Sequence, residues 1–183
     1  MTHRSGSMRV ARCNCGECRL SLEGTPIMTA ICYCKSCRSA GHVFERLPGA
    51  APVLGEDGGT AYVLQRKDRV SIESGVETLR EHRLKPKSST RRIVATCCNS
   101  PMFLEFSGGH WLSVYRDRIP PEDRPAVEMR TMTADRPDGV EFRDTLPSYR
   151  KHSGRFMLRL LAAWVAMGFR APKLNQIRGT LDV

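Results

Sequence analysis

Long hydrophobic runs are missing from this sequence. The longest uninterrupted stretch of apolar residues and glycine, Leu160 to Phe169, has about half the length a membrane-spanning helix needs, so no bilayer span is expected. Met1 to Val10 is polar and basic with no apolar h-region, so no secretory signal is expected and the cytoplasm is the expected location. Aromatic residues are scarce, at 7% of the chain, while 15 glycines and 11 prolines announce many loops and turns. No internal repeat and no low-complexity segment interrupts the 183 residues. That length suffices for one compact domain with a real core and an appended segment.

What the sequence does have is cysteine. The eight fall as Cys13, Cys15 and Cys18, then Cys32, Cys34 and Cys37, then the adjacent Cys97 and Cys98. Cysteines one or two residues apart are well placed to share a metal ion, whereas adjacent cysteines make a strained disulfide ring. A reducing compartment would also keep such thiols free. The expectation is a zinc protein with seven of the eight cysteines as ligands.

The charge is read with that in mind. Lys and Arg number 29 against 19 Asp and Glu, a formal +10. Zinc with four thiolates carries −2 and zinc with three carries −1, so both sites together lower the total to about +7. An anionic partner, small or large, is favoured.

The pattern along the chain predicts a mainly β protein. Strands are expected at Met8 to Cys13, Cys18 to Glu23, Ile27 to Tyr33, Thr60 to Gln65, Arg69 to Glu73, Thr78 to Leu84, Arg91 to Thr96 and Trp111 to Tyr115. Leu47 to Gly49 and Gly55 to Gly59 mark a loop stretch. Residues 1–118 are therefore taken as a zinc-binding β domain, a folded sheet or sandwich. Residues 119–183 are taken as an irregular, proline-broken segment followed by a C-terminal helical extension over about 154–169, capped by Ser153. Met157, Leu160, Leu161, Trp164, Val165 and Phe169 form its expected apolar face. Packing on the domain or across a homodimer is preferred to membrane association.

Cys13-Asn14-Cys15-Gly16 supplies half a tetrahedron, and Gly16 lets the chain turn past the ion. Cys97 and Cys98 are expected to supply the other half, closing a structural four-sulfur site. The alternative for one of that late pair is a buried small hydrophobe. Cys32, Cys34 and Cys37 form a second group with no obvious fourth cysteine. Three thiolates leave one coordination position open for water, a thiol or a substrate atom, as in catalytic zinc sites, and such a site would hold its ion less securely. Lys35 and Arg38 flank it and would favour an anionic substrate. Cys18 sits on the apolar phase of its strand and is read as core, with ligation at either site as the alternative. His42 could instead close the second site. Tyr33, Glu45, His82 and His110 could serve as acid or base only if the fold brings them to the metal. The basic stretch Lys85, Lys87, Arg91 and Arg92 lacks interleaved aromatics and is read as a solvated face rather than a nucleic-acid groove. Arg150, Lys151 and Arg155 are read the same way.

Cys13-x-Cys15-Gly16, Cys32-x-Cys34-x-x-Cys37-Arg38 and a late cysteine pair followed by Pro101 together resemble the glutathione-dependent formaldehyde-activating enzyme family, which has the Mss4-like fold. Gly58-Gly59-Thr60, Gln65, Gly75-Val76-Glu77-Thr78-Leu79 and Cys97-Cys98-Asn99-Ser100-Pro101 look closer still to an uncharacterised bacterial branch related to that family. The resemblance covers about residues 8–118. It implies a structural zinc on Cys13, Cys15 and the late pair, and an open zinc on Cys32, Cys34 and Cys37. It also implies carbon–sulfur lyase chemistry in which glutathione's thiol adds to formaldehyde. The family usually shows Cys-x-x-Cys-Gly where this chain has adjacent cysteines and Asn99, so it is left open whether both Cys97 and Cys98 bind.

Three functions follow as expectations. The first is a zinc-dependent carbon–sulfur lyase acting on a small anionic thiol such as glutathione. The second is a non-catalytic, zinc-stabilised protein-binding module. The third, a nucleic-acid binder using the +10 excess, is the least favoured.

Overall fold

A computed structural model describes residues 8–183. Residues 1–7, the start of the polar N-terminal stretch, lie outside the described residues.

The protein is mainly β, with two sheets and a C-terminal helix. β1 (Met8–Arg12) and β2 (Arg19–Glu23) form an antiparallel hairpin, and β5 (Val70–Ser74) joins the other side of β2. The second sheet contains β3 (Met28–Cys32), β4 (Thr60–Arg66), β6 (Leu79–His82), β7 (Thr90–Ala95), β8 (Ser100–Phe106), β9 (Trp111–Tyr115) and β10 (Met129–Thr131). Its order is β10-β3-β4-β9-β8-β7-β6, antiparallel except where β10 runs parallel along the edge strand β3.

Alternation along the strands sorts side chains to the two faces of the larger sheet. Val63, Ile93, Phe103, Leu112 and Val114 meet Ala11, Leu20 and Leu22 of the small sheet. Tyr62, Leu64 and Val94 point the other way. They pack with Met28 and Ala30 under two helices, α1 (Lys35–Phe44) and α2 (Gly154–Ala166). The seven-stranded sheet is thus covered on one face by strands and on the other by helices.

Most expected strands appear within a residue or two of their bounds, but β8, β10 and α1 were not anticipated. Pro101 reads as a turn signal, yet at the second residue of β8 it is tolerated at a strand's start. In α1, Cys37, Ala40, Gly41 and Phe44 are the buried positions, a helical period that the cysteine pattern overlies. Residues after 118 supply both β10 and, at Leu181, a backbone bond to Glu81 of β6.

α2 lies where expected and Ser153 caps it, its side chain accepting from the Phe156 N–H at 3.1 Å. The expected apolar face needs correction. Phe156, Leu160 and Ala163 are buried, whereas Met157, Leu161, Val165 and Phe169 are exposed. The helix is apolar nearly all round, so spacing alone could not say which stripe meets the sheet. Among the described residues no helix is long and apolar enough to cross a membrane.

Candidate functional site

Two groups of thiols converge. The first forms where two hairpin tips meet. Between β1 and β2 the chain turns tightly, with Cys13 N–H donating to Cys18 O and Gly16 N–H to Cys13 O, both at 3.0 Å. Gly16 takes φ +81°, which a side chain would strain. Thr96 to Asn99 link β7 to β8, presenting Cys97 and Cys98 to that first turn. All four sulfurs, from Cys13, Cys15, Cys97 and Cys98, lie within 4.8 Å of one another. Sγ–Sγ separations are 3.4 Å for Cys13–Cys15 and for Cys15–Cys97, 3.7 Å for Cys13–Cys97 and 3.9 Å for Cys97–Cys98. A zinc tetrahedron with Zn–S near 2.3 Å has edges of about 3.8 Å, so the donor set fits zinc in type and spacing. Burial raises the Cys98 thiol, but bonds from the Ser100 hydroxyl and the Cys15 N–H outweigh it and bring it down to about 7.

Cys18 is not part of this group. It is fully buried in the core, and its N–H donates to Cys13 Sγ at 3.2 Å.

The second group sits at the N-terminus of α1. β3 ends at Cys32, Cys34 occupies the N-cap and Cys37 lies in the first turn, its N–H donating to Cys34 Sγ at 3.4 Å. Three ligand sulfurs again lie within 4.8 Å of one another, and no fourth His, Cys, Asp or Glu joins them among the described residues. A helix N-terminus is a favourable place for thiolate charge. Hydrogen bonds from the Cys32 and Cys34 thiols hold the Cys37 thiol well below its ordinary value despite its burial, and the Arg92 charge and the Tyr62 hydroxyl act in the same direction. Tyr62 Oη lies 3.6 Å from Cys37 Sγ.

These three cysteines line a cavity of about 380 Å³ between the sheet and α2. Tyr62, Arg92 and His152 line it as well; neither Tyr62 nor His152 is named from the sequence, and Arg92 is given no place at the cysteines there. His152 Nδ1 lies 3.0 Å from the Thr131 hydroxyl. The expectation that Arg92 belongs to a solvated face is overturned, since it is 1% exposed. A signal did exist: Arg92 shares the period-2 phase of Val94, which faces the helices. Its neighbour Arg91 is committed to ion pairs with Glu81 and Glu105, which leaves Lys85 and Lys87 as the exposed charges of that stretch.

The other candidates lie elsewhere. Lys35 is exposed, and Arg38 donates to the Asp135 carbonyl at 2.6 Å; neither lines the cavity. His42 is exposed on α1. Tyr33 donates to Asp57 at 2.5 Å, Glu45 accepts from Val53 and Leu54 N–H at 2.8 Å, and His110 bonds the Leu160 carbonyl. His82 is buried against Phe44.

A mainly β chain with two thiol clusters fit for metal is the class the fold and site define. Residues 8–47 match the model of the glutathione-dependent formaldehyde-activating enzyme family. That segment carries Cys13, Cys15, Cys32, Cys34 and Cys37, and over it the chain is similar to that family. No curated protein matches the sequence. A crystal structure of a Rhodobacter sphaeroides protein is similar at 13% identity, covering 76% of this chain and 98% of that one. The TM-score is 0.45.

Proposed function

We propose that the protein is a zinc-dependent carbon–sulfur lyase of the glutathione-dependent formaldehyde-activating type, working at Cys32, Cys34 and Cys37. One observation carries this reading: three thiols, without a fourth protein ligand among the described residues, open onto a cavity large enough for a small molecule. The four-cysteine group is the structural counterpart, tying two distant hairpins together.

Zinc held by the three cysteines would lower the pKa of a thiol brought to its open position, supplying a nucleophile at neutral pH. In the reaction the thiol sulfur bonds to the carbonyl carbon and the carbonyl π bond breaks. The thiol proton ends on the oxygen, giving an S-hydroxymethyl adduct from formaldehyde. The chain's own part is to hold the three sulfurs in place and to set Arg92's charge beside them. The apolar wall formed with α2 lowers the polarity on one side of these charges, which strengthens their electrostatic effect. His152, oriented by Thr131, is the titratable group placed to carry the proton across the cavity rim.

The Cys37→Ser variant tests the reading. It should lose one metal equivalent by elemental analysis and lose adduct formation from glutathione and formaldehyde, with melting shifted by only a few degrees. Unfolding of the variant would show instead that this site is structural.

A second reading, a zinc-stabilised protein-binding module, is favoured by the exposed apolar residues of α2, Leu158, Leu161 and Val165. It expects two chelator-resistant metal equivalents and no thiol binding.

A further inference from the structure

The cavity above the three-cysteine group has walls that a peptide thiol does not account for. Leu64 of β4, Leu104 and Phe106 of β8, Trp111 of β9, and Phe156 and Leu160 of α2 supply much of its lining. Among the described residues no carboxylate lines it, and Arg92 is its one permanently charged side chain. Arg92 Nη2 donates to the Ser36 carbonyl at 3.0 Å and to the Ser36 hydroxyl at 2.8 Å. Nε and Nη1 have no hydrogen-bond partner among the described residues. The Cys37 thiol and the Tyr62 and Tyr115 hydroxyls act on its charge, but a guanidinium 1% exposed with two donors unmet is still costly unless something answers them.

Size points the same way. A volume of about 380 Å³ is far more than formaldehyde fills and falls in the range of organic ligand sites. Glutathione's two carboxylates and ammonium would face these walls with a single buried cation to answer them. Phe106 and Met157 line the cavity and are also exposed, so it opens to solvent along α2.

We propose that this cavity selects a ligand with an aryl or alkyl body and a single anionic head, the head on Arg92 Nε and Nη1 beside the cysteines and the body against the apolar wall. The inference rests on the reading above for chemistry at sulfur; it makes glutathione a weak substrate of that reaction and a thiol with an apolar body a stronger one. Arg92 then sets specificity, selecting the anionic head.

Straight-chain carboxylates serve as non-reacting probes. The zinc-loaded full chain is titrated with butyrate, hexanoate and octanoate, with the alcohols of equal length, and with glutathione, by calorimetry and tryptophan fluorescence. Binding should tighten about fourfold per methylene, the value expected for burying a CH₂ group. Each carboxylate should bind at least tenfold more tightly than its alcohol, and Arg92→Met should erase that difference. Leu104→Trp, which fills the cavity, should weaken octanoate more than butyrate. Affinity independent of chain length, or no binding at all, would overturn the proposal. Equal affinity for carboxylate and alcohol would also do so, leaving Arg92 as a counter-charge to the cysteines. If Arg92→Met does not fold, the carboxylate–alcohol comparison on the unaltered protein decides alone. Chain-length-dependent binding without any thiol-adduct turnover would uphold the ligand class and defeat the proposed reaction. Glutathione turnover with length-independent binding would do the reverse.

Discussion

Cys13 and Cys97 bring their sulfurs to 3.7 Å although 84 residues separate them in the chain. Closing a loop of that length is an entropic cost which a shared metal ion removes from the folding step, as a disulfide would. Cys97→Ser should therefore cost about 4 kcal/mol, by analogy with a cross-link of this span, and lower the melting temperature by roughly 10 °C. Strong chelators should act on the unaltered protein in the same direction. Calorimetry with and without chelator checks this; a melting curve indifferent to both would mean that the hairpin tips are held by packing alone.

Gly75 supports the same corner from the side. Its φ is +73°, and a Cβ there would lie 2.7 Å from Cys18 Cα and 2.9 Å from the Glu17 carbonyl oxygen. Both are backbone atoms of the Cys13–Cys18 turn and cannot rotate away. Gly75→Ala combines left-handed strain with a backbone clash and should cost about 2 kcal/mol or more. It should also make the four-cysteine site release metal faster to a colorimetric chelator. A variant as stable and as slow to release as the parent would contradict this packing.

Much of this arrangement could be read from the sequence. Cysteine spacing gave Cys32, Cys34 and Cys37 and each half of the four-cysteine group, because residues one to three apart stay close. That the two halves meet was an expectation spacing could not supply. Strand alternation gave most of the sheet. What stayed hidden depended on tertiary packing. Arg92 is a basic residue in a basic stretch, and only the helices over β7 bury it. α1 escaped notice because its N-cap is Cys34, a residue already claimed by the metal pattern and outside the usual capping set. Which stripe of α2 is buried was undetermined, since Leu160 and Leu161 are equally apolar and only the sheet distinguishes them.

Acid should loosen α2. His110 is buried under the helix, its Nε2 2.8 Å from the Leu160 carbonyl and its ring stacked 5.8 Å from Trp164. Burial lowers its pKa, as do the Lys67 and Arg66 charges, and the bond to Leu160 only partly offsets this. The folded state thus favours neutral imidazole. Its contribution is fully present above the unfolded value of about 6.5 and is lost as pH falls through the lower folded value. His82, lowered by burial and by Arg92, adds to the same slope. Between about pH 7.5 and 5.5 the melting temperature should fall less steeply in His110→Gln than in the parent. Identical slopes would show that His110 titrates normally.

Tyr33 has the chemistry of a proton donor but is placed for another role. Its hydroxyl donates to Asp57 at 2.5 Å and its ring packs 5.2 Å from Phe142, fastening the 55–59 loop and the proline-rich tail to the end of β3. Burial first, then the bond to Asp57, pushes its pKa well above the ordinary phenol value, so it does not release a proton at neutral pH. It does not line the cavity above Cys37. Tyr33→Phe should therefore cost about 2 kcal/mol, the loss of one hydrogen bond to a charged group. That corresponds to a fall in melting temperature of about 4–8 °C. Adduct formation from glutathione and formaldehyde should stay within about twofold of the parent, a small shift by the scale of acid–base catalysis. A variant that melts like the parent but turns over a hundredfold more slowly would move Tyr33 from the scaffold into the chemistry.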